Sequence, residues 1–270
     1  MKRLVIYPSF LCPFSCNFCI TKNKNSLNES LSINTLKNFM NMNHNKISEI
    51  VVSGGEPMIL NKTYFNEIID TLKQYDKKIT INSYPLSLEN FRDDVEYNLS
   101  YDFMAKPRAM EVWENLLRFK KKFDLTITIS PLIFKYHPNN LLQKLALLPN
   151  IKSVEFIPYC KNECSEYDIT KNDCLTKFNQ ILLQSKLNIP YKLVNKDKIR
   201  QKMLEKTTTQ SDIHLFPSGE LFYQEFDEHN VLKFIKTDSS IFDRDTVFNY
   251  PEEIDLYSDS IIQWCKHNGL

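Results

Sequence analysis

The chain has 270 residues, of which 34 are basic, 33 are acidic and 42% are hydrophobic. This length and composition are those of a folded protein with a sizeable core, so they exclude a disordered chain. The net charge of +1 gives no basic field that would gather nucleic acid, and no run approaches the roughly 20 apolar residues that cross a bilayer. Because Pro8 and Pro13 interrupt the apolar start, we predict no signal peptide. We therefore expect a cytoplasmic protein without membrane or nucleic-acid partners.

Six short apolar runs predict β-strands, at residues 4–7, 50–52, 79–81, 95–99, 125–129 and 154–157. Helical periodicity follows strands one, two, four and five, at residues 31–42, 65–72, 112–119 and 141–148. The stretch 87–94, between strands three and four, is poorly marked as a helix. This alternation predicts parallel βα units of the α/β class, in a partial (β/α)6 TIM-like barrel or a doubly wound sheet. Both architectures place their chemistry at the carboxyl ends of the strands.

The pattern changes after about residue 190. The segment HLFPSGELFYQEF predicts two short strands around a turn at residues 217–219. The last residues, 258–270, predict a terminal helix that stops near Gly269. We therefore divide the chain into a barrel over residues 1–190 and a small α+β C-terminal extension over residues 191–270.

Three of the 7 cysteines, Cys12, Cys16 and Cys19, lie in one short segment with C-x3-C-x2-C spacing. An odd number of cysteines cannot all pair in disulfides within one chain, and clustered cysteines in a chain of this size do not indicate a disulfide scaffold. Three thiolates can hold three corners of a cubane iron–sulfur cluster and leave the fourth iron open to a small molecule. A zinc knuckle or unrelated buried cysteines are the alternatives, although no matching second pair completes a zinc site.

The 4 glycines of the chain include the adjacent Gly54 and Gly55, directly after the second predicted strand. A chain so poor in glycine that places two together predicts an unusual backbone there, which side chains would prevent. An ordinary tight turn is the alternative.

The cysteine loop, the aromatic Phe18 before its third cysteine, and the run Ser53-Gly54-Gly55-Glu56-Pro57 together resemble the radical S-adenosylmethionine (SAM) superfamily, over roughly residues 1–190. The resemblance implies a [4Fe–4S] cluster on the three loop cysteines and SAM chelated to its open iron. It also implies that reduction, by a flavodoxin- or ferredoxin-type donor, cleaves SAM to methionine and a 5′-deoxyadenosyl radical that abstracts hydrogen from a substrate.

The same resemblance implies which residues contact SAM. The backbone at Gly54 and Gly55 would bind the methionyl amino group, and Glu56 would supply negative charge nearby. Phe18 and Ser53 complete these two motifs. The later candidates are Ser83 with Asn82, where the family's Thr-Asn-Gly lacks its glycine here, then Ser100, Arg108 or Lys106, Ser130, and Ile157 against the adenine. Loop, packing or capping roles are the alternative for each later candidate.

The second half of the chain carries weaker signals. Cys160, Cys164 and Cys174 invite an auxiliary cluster, but their C-x3-C-x9-C spacing matches no established ligand pattern, so packed or free thiols are the default. The run from Phe216 to Gln224 resembles the hairpin that opens the SPASM region of peptide-modifying members, without its cysteines.

The sequence therefore predicts a radical SAM enzyme that modifies a ribosomally synthesised peptide, by crosslinking or epimerisation. An epimerase needs a hydrogen donor, and Cys160, Cys164 and Cys265 are the candidates. Because too few residues precede Cys12 for a winged-helix domain, a leader peptide would be bound by the barrel, by the extension or by a separate protein. The alternatives are a radical SAM enzyme acting on a small metabolite or nucleoside, a glycyl-radical-enzyme activase, and a non-enzymatic metal-binding protein.

Overall fold

The computed structural model describes residues 2–14, 16, 19, 21, 29–101, 109–129, 138–158, 178, 180–182, 189–193, 212–226 and 232–242. The strands in this part of the chain are β1 (Lys2–Ile6), β2 (Ile47–Val52), β3 (Lys78–Ser83), β4 (Glu96–Tyr101), β5 (Phe123–Ile129), β6 (Ile151–Pro158), β7 (Tyr191–Leu193), β8 (Asp212–Leu215), β9 (Leu221–Phe226) and β10 (Leu232–Thr237). The α-helices are α1 (Ile33–Asn43), α2 (Lys62–Lys73), α3 (Ala109–Arg118) and α4 (Pro138–Leu145).

The chain forms two compact units, and the first comprises Met1–Asn98 and Thr208–Phe248. Its strands lie in the order β10-β9-β8-β1-β2-β3. β1 pairs in parallel with both β2 and β8, and β2 pairs in parallel with β3. β9 is antiparallel to β8 and to β10. The carboxyl ends of four parallel strands therefore meet at one edge of this sheet, which is where α/β proteins bind ligands.

Each helix of the first unit begins at a polar cap. The Ser32 side chain accepts a hydrogen bond from the backbone of Thr35 at the start of α1, and Asn61 does the same for α2. Both helices bury an apolar stripe, and α1 contacts α2. The residues that form these stripes are Leu36, Phe39 and Met40 on α1, and Phe65, Ile68, Ile69 and Leu72 on α2.

A row of charges crosses the amino ends of the same strands. Arg3 on β1 pairs with Asp212 on β8 and lies 3.9 Å from Glu49 on β2, while Lys78 on β3 lies 3.2 Å from Glu96 on β4. The Arg3–Glu49 and Lys78–Glu96 pairs are exposed and add little stability, whereas the Asp212 carboxylate is mostly buried and accepts from two nitrogens of Arg3. Their alternating signs on neighbouring strands nevertheless match the observed register, because a shift by one residue would turn each charge to the other face.

The second unit comprises Leu99–Thr207 and Asn249–Leu270. Within it β5 pairs in parallel with β6, and β6 pairs in parallel with β7. The buried side chains of α3 and α4 include Val112, Leu116, Leu141, Leu142 and Leu145. β4 spans the boundary between the two units.

The structure confirms the six predicted strands, the four predicted helices and the hairpin of β8 and β9. The described residues 84–95 contain no helix, so β3 and β4 are joined by turns. The hairpin lies beside β1, in the first unit, whereas the helix predicted at 258–270 lies outside the described residues. None of the helices in the described part of the chain combines the length and the apolar character of a membrane span.

Candidate functional site

The three loop cysteines follow β1, at the carboxyl edge of the first unit's sheet. Cys12, Cys16 and Cys19 are all half-buried. The Cys19 N–H donates to the Cys16 carbonyl at 3.1 Å, and the Cys19 Sγ lies 3.2 Å from the Thr21 hydroxyl. The loop thus presents three thiols from one short segment, at the edge where ligands bind.

The donor set is the one that an iron–sulfur cluster requires, because cysteine thiolates are its protein ligands. Among the described residues no three His, Cys, Asp or Glu side chains converge closely enough to hold a metal ion, so the three thiols do not form a closed ligand set. The pKa of Cys12 is raised to about 11, mainly by burial and to a smaller extent by the charges of Glu56 and Cys19, against the opposing effect of a hydrogen bond from the Phe14 backbone. Cluster binding would therefore have to draw the thiols together and release their protons.

Gly54 and Gly55 have φ values of 77° and 37°, in the left-handed region that glycine tolerates best. The resemblance implies that the backbone at these two glycines binds the SAM amino group. In the structure the close approach is to the chain itself: a Cβ on Gly54 would overlap the Tyr7 ring, and one on Gly55 would overlap the Leu11 carbonyl oxygen. The two glycines therefore let the turn after β2 pack directly on the segment that leads into the cysteine loop.

Glu56 joins this turn to the cysteine loop and to the end of β3. Its backbone N–H donates to the Leu11 carbonyl at 2.8 Å. Its buried carboxylate accepts hydrogen bonds from the Met58 N–H at 3.0 Å, the Tyr84 N–H at 2.7 Å and the Ser83 hydroxyl. One residue thus fixes three chain segments at the same edge of the sheet.

These contacts change the physical interpretation of Glu56 and Ser83. Burial raises the pKa of Glu56 to about 7, against the opposing effect of its three hydrogen-bond donors. Ser83 is itself buried, and its hydroxyl donates to that carboxylate. Both side chains are thus engaged with each other, and their contact with SAM stays a prediction.

An aromatic contact that the sequence analysis missed links the cysteine loop to β3. The Phe14 ring, between Cys12 and Cys16 in the chain, meets the Tyr84 ring edge to face, with centroids 4.7 Å apart. Tyr84 is also the residue whose N–H binds Glu56. In the sequence, the one indication of a role for Tyr84 was its position directly after Asn82-Ser83, the segment predicted to contact SAM at the end of β3.

The other predicted site residues are distributed as follows. Ser53 is half-buried and its N–H donates to the Ile6 carbonyl at 2.8 Å. Ser100 on β4 and Ile157 on β6 are half-buried residues of the second unit. The predicted residues that lie outside the described part of the chain are Phe18, Lys106, Arg108, Ser130, Cys160, Cys164, Cys174 and Cys265.

We expect Gly55→Ala to be more damaging than Gly219→Ala, which is a matched control because Gly219 also has a positive φ of 81°. Both variants should lose about 1–2 kcal/mol from the left-handed backbone. Among the described residues the Gly219 Cβ would meet only the Thr35 methyl group, at 2.9 Å, whereas the Gly55 Cβ would meet rigid backbone and should cost about 1–3 kcal/mol more. Urea unfolding followed by circular dichroism measures both. Equal losses would contradict the close packing of Gly55 on Leu11.

Below pH 4.5, replacing Glu56 by Gln should lower the free energy of unfolding by about 1–3 kcal/mol, because the amide nitrogen of Gln cannot accept a hydrogen bond. The exposed Glu67→Gln is the control. Since the folded pKa of Glu56 is raised to about 7 from its ordinary 4.5, its carboxyl favours folding most below pH 4.5, and this contribution is lost as the pH rises to about 7. The stability difference between wild type and Glu56→Gln, measured in cluster-free protein, should therefore shrink over that interval. A difference independent of pH would contradict the burial of this carboxyl group.

The sequence was compared with protein-family models and with curated proteins. Residues 2–99 match the family model described as 4Fe-4S single cluster domain. A search of curated proteins gives no significant match. The matched segment contains the cysteine loop, the glycine turn and β1 to β3.

Solved structures resemble the chain in fold. SuiB from Streptococcus suis, bound to its precursor peptide SuiA, has 13% identity and a TM-score of 0.59, over 82% of this chain and 58% of SuiB. The enzyme anSMEcpe, with bound AdoMet and a Cp18Cys peptide, has 14% identity and a TM-score of 0.59, over 82% of this chain and 73% of its own. A radical SAM methyltransferase from Sphaerobacter thermophilus has 16% identity and a TM-score of 0.54, over 70% of this chain and 65% of its own.

At these identities the structural matches show the fold, and the chain spans little more than half of SuiB. They confirm the α/β class with a partial barrel. The resemblance to the radical SAM superfamily is confirmed in the fold and in the iron–sulfur segment. The chain thus shares the fold of radical SAM enzymes, and its residues 2–99 match a 4Fe-4S single cluster domain.

Proposed function

We propose that the chain is a radical SAM enzyme that modifies a peptide, with a [4Fe–4S] cluster on Cys12, Cys16 and Cys19. The observation that carries this proposal is the direct packing of the Gly54-Gly55 turn on the backbone that leads into the cysteine loop. That packing, together with the Glu56 N–H bond to the Leu11 carbonyl, brings the two motifs of the resemblance to one place at one edge of the sheet.

A cluster on these three thiolates would leave one iron open to the amino and carboxylate groups of SAM, and it would supply the electron that cleaves SAM to methionine and a 5′-deoxyadenosyl radical. The residues of the chain have distinct parts in this chemistry. The loop cysteines would hold the cluster. The half-buried backbone of Gly54 and Gly55 would bind the SAM amino group, with Glu56 behind it as the residue that fixes the turn. Phe14 and Tyr84 would hold the cysteine loop against the end of β3.

The peptide substrate is supported by two neighbours. SuiB is described with its precursor peptide SuiA, and anSMEcpe with a Cp18Cys peptide. The hairpin of β8 and β9 contains the run that resembles the SPASM opening, and it lies beside β1. We propose that residues 1–190 form the catalytic barrel and residues 191–270 form an extension. The electron would come from a ferredoxin- or flavodoxin-type donor. A leader peptide would be bound by the barrel, by the extension or by a separate protein.

The third neighbour is described as a methyltransferase and without a peptide, so a second candidate function stays open. A radical SAM enzyme that acts on a small metabolite or nucleoside would use the same cysteine loop and the same glycine turn. The two candidates differ in what is modified, so the reading frames beside the gene and an assay with their products separate them. A short neighbouring frame whose peptide changes mass only with SAM and reductant supports the first candidate. A nucleoside or metabolite that is modified under the same conditions, while the peptide is not, supports the second.

Alanine at Cys12, Cys16 or Cys19 should abolish iron binding and 5′-deoxyadenosine formation, because three thiolates are the smallest set that can hold the cluster. The fold should be retained, as far-ultraviolet circular dichroism would show. Cys174→Ala, outside the loop, is the control and should keep both activities. A Cys16→Ala variant that forms 5′-deoxyadenosine at the wild-type rate would overturn the assignment of the cluster.

The remaining cysteines separate epimerisation from crosslinking. If Cys160, Cys164 or Cys265 returns a hydrogen atom to the substrate radical, its Ala variant should still cleave SAM but should not complete the inverted product. Mass spectrometry in deuterated water measures that product, because the donated hydrogen exchanges with solvent. Full product from the Ala variants of Cys160, Cys164, Cys174 and Cys265 would exclude a cysteine donor. It would favour crosslinking, in which the radical closes onto another atom of the substrate and then loses an electron.

A further inference from the structure

Tyr7 and His214 form a buried polar pair that the proposed chemistry does not use. Tyr7 directly follows β1 and is 6% exposed, and His214 lies within β8 and is 3% exposed. The Tyr7 hydroxyl lies 3.2 Å from the His214 Nδ1. The two residues are 207 positions apart in the chain and meet because β8 pairs with β1. The hydrogen bond therefore ties the hairpin to the segment that leads into the cysteine loop.

The Tyr7 ring is also the surface on which Gly54 packs. A Cβ on Gly54 would lie 2.6 Å from the Tyr7 Cγ and 2.8 Å from its Cβ, so the Gly54 backbone is in direct contact with this ring. The ring is further surrounded by Phe10, Phe216 and Phe234, with centroid distances of 5.9, 4.9 and 6.1 Å. The position of the ring thus sets the position of the turn backbone.

Packing alone does not account for a histidine at position 214. Its ring meets the Phe234 ring edge to face at 5.1 Å, and its Nε2 has no hydrogen-bond partner among the described residues. An apolar side chain of similar size would fill this place without burying an unpaired nitrogen, which typically costs about 1–3 kcal/mol. Burial lowers the pKa of His214 to about 4, so the ring is neutral at pH 7. Its Nδ1 can then form a hydrogen bond with the Tyr7 hydroxyl. The described contact that requires a histidine is the bond to Tyr7.

We propose that Tyr7 and His214 are positioning residues, whose hydrogen bond holds the Tyr7 ring against Gly54 and so couples β8 to the turn at residues 53–56. The consequence for SAM rests on the proposed function, which assigns that turn to the SAM amino group. Removal of the bond leaves the ring free to tilt, and the backbone that packs on it then loses a fixed support.

Hydrogen exchange in the reconstituted protein tests the pair without reference to SAM. The Ser53 and Glu56 N–H groups are hydrogen-bonded to Ile6 and Leu11, so their exchange reports on the order of the turn. Tyr7→Phe keeps the ring and removes the hydroxyl, and should speed this exchange about fivefold, as expected for the loss of one hydrogen bond. His214→Leu should have the same effect, and the double variant no greater one.

Two further variants separate positioning from general stability. Tyr97→Phe removes another buried hydroxyl, which bonds the backbone of Arg92, and should leave the exchange of residues 53–56 unchanged. His214→Asn keeps a polar atom near the Nδ1 position and should retain most of the protection that His214→Leu loses. Unchanged exchange in Tyr7→Phe, or an equal increase in all segments of the chain, would overturn the proposal.

The SAM dissociation constant, measured on the same samples from the change in the electron paramagnetic resonance signal of the reduced cluster, tests the proposed function separately. A severalfold weaker affinity in Tyr7→Phe, with faster exchange of the turn, supports both the pair and the SAM assignment. Faster exchange with unchanged SAM affinity supports the pair and contradicts the assignment of SAM to this turn. A wild-type protein whose signal does not respond to SAM contradicts the proposed function, and the exchange data still decide on the pair.

Discussion

The contact between the glycine turn and the Leu11 carbonyl is the constraint on which the site depends. The Glu56 N–H binds this carbonyl at 2.8 Å, and Gly55 packs against it so closely that a Cβ would overlap the oxygen. Two strand-end loops can approach at this distance only if one of them lacks side chains and adopts positive φ. The two adjacent glycines of a glycine-poor chain meet that requirement. The cysteine loop thereby begins from a fixed backbone position.

Burial of the Glu56 carboxylate follows from the same arrangement. A buried carboxylate is tolerated only when donors compensate for its lost hydration, and here the donors come from the end of β3 and from the turn at Met58. The compensation is incomplete, because the pKa of the group rises to about 7. The polar network therefore orders three loops at some cost in stability. The same turn also packs on the Tyr7 ring, which is hydrogen-bonded to His214 on β8.

Local patterns in the sequence predicted the elements and the motifs, while the contacts between distant segments had to come from the structure. Apolar periodicity gave the strands and helices, and cysteine spacing with glycine scarcity gave the two site motifs. The close packing partner of Gly55, the Phe14 contact with Tyr84 and the Tyr7 bond to His214 depend on which strands become neighbours. No local periodicity encodes that β8, 207 residues beyond, lies beside β1. The glycines were singled out for an unusual backbone and for binding SAM; their described contacts are with the chain itself, and the contact with SAM stays a prediction.

The central claim is that the loop cysteines hold a cluster with one iron open to SAM. Mössbauer spectroscopy of the protein reconstituted with ⁵⁷Fe, recorded with and without SAM, tests it most directly, because it resolves the individual iron sites. The account predicts about four irons per chain, of which one changes its isomer shift and quadrupole splitting when SAM is added. Irons that all stay unchanged on addition of SAM, or a protein that binds zinc in place of iron, would contradict the account.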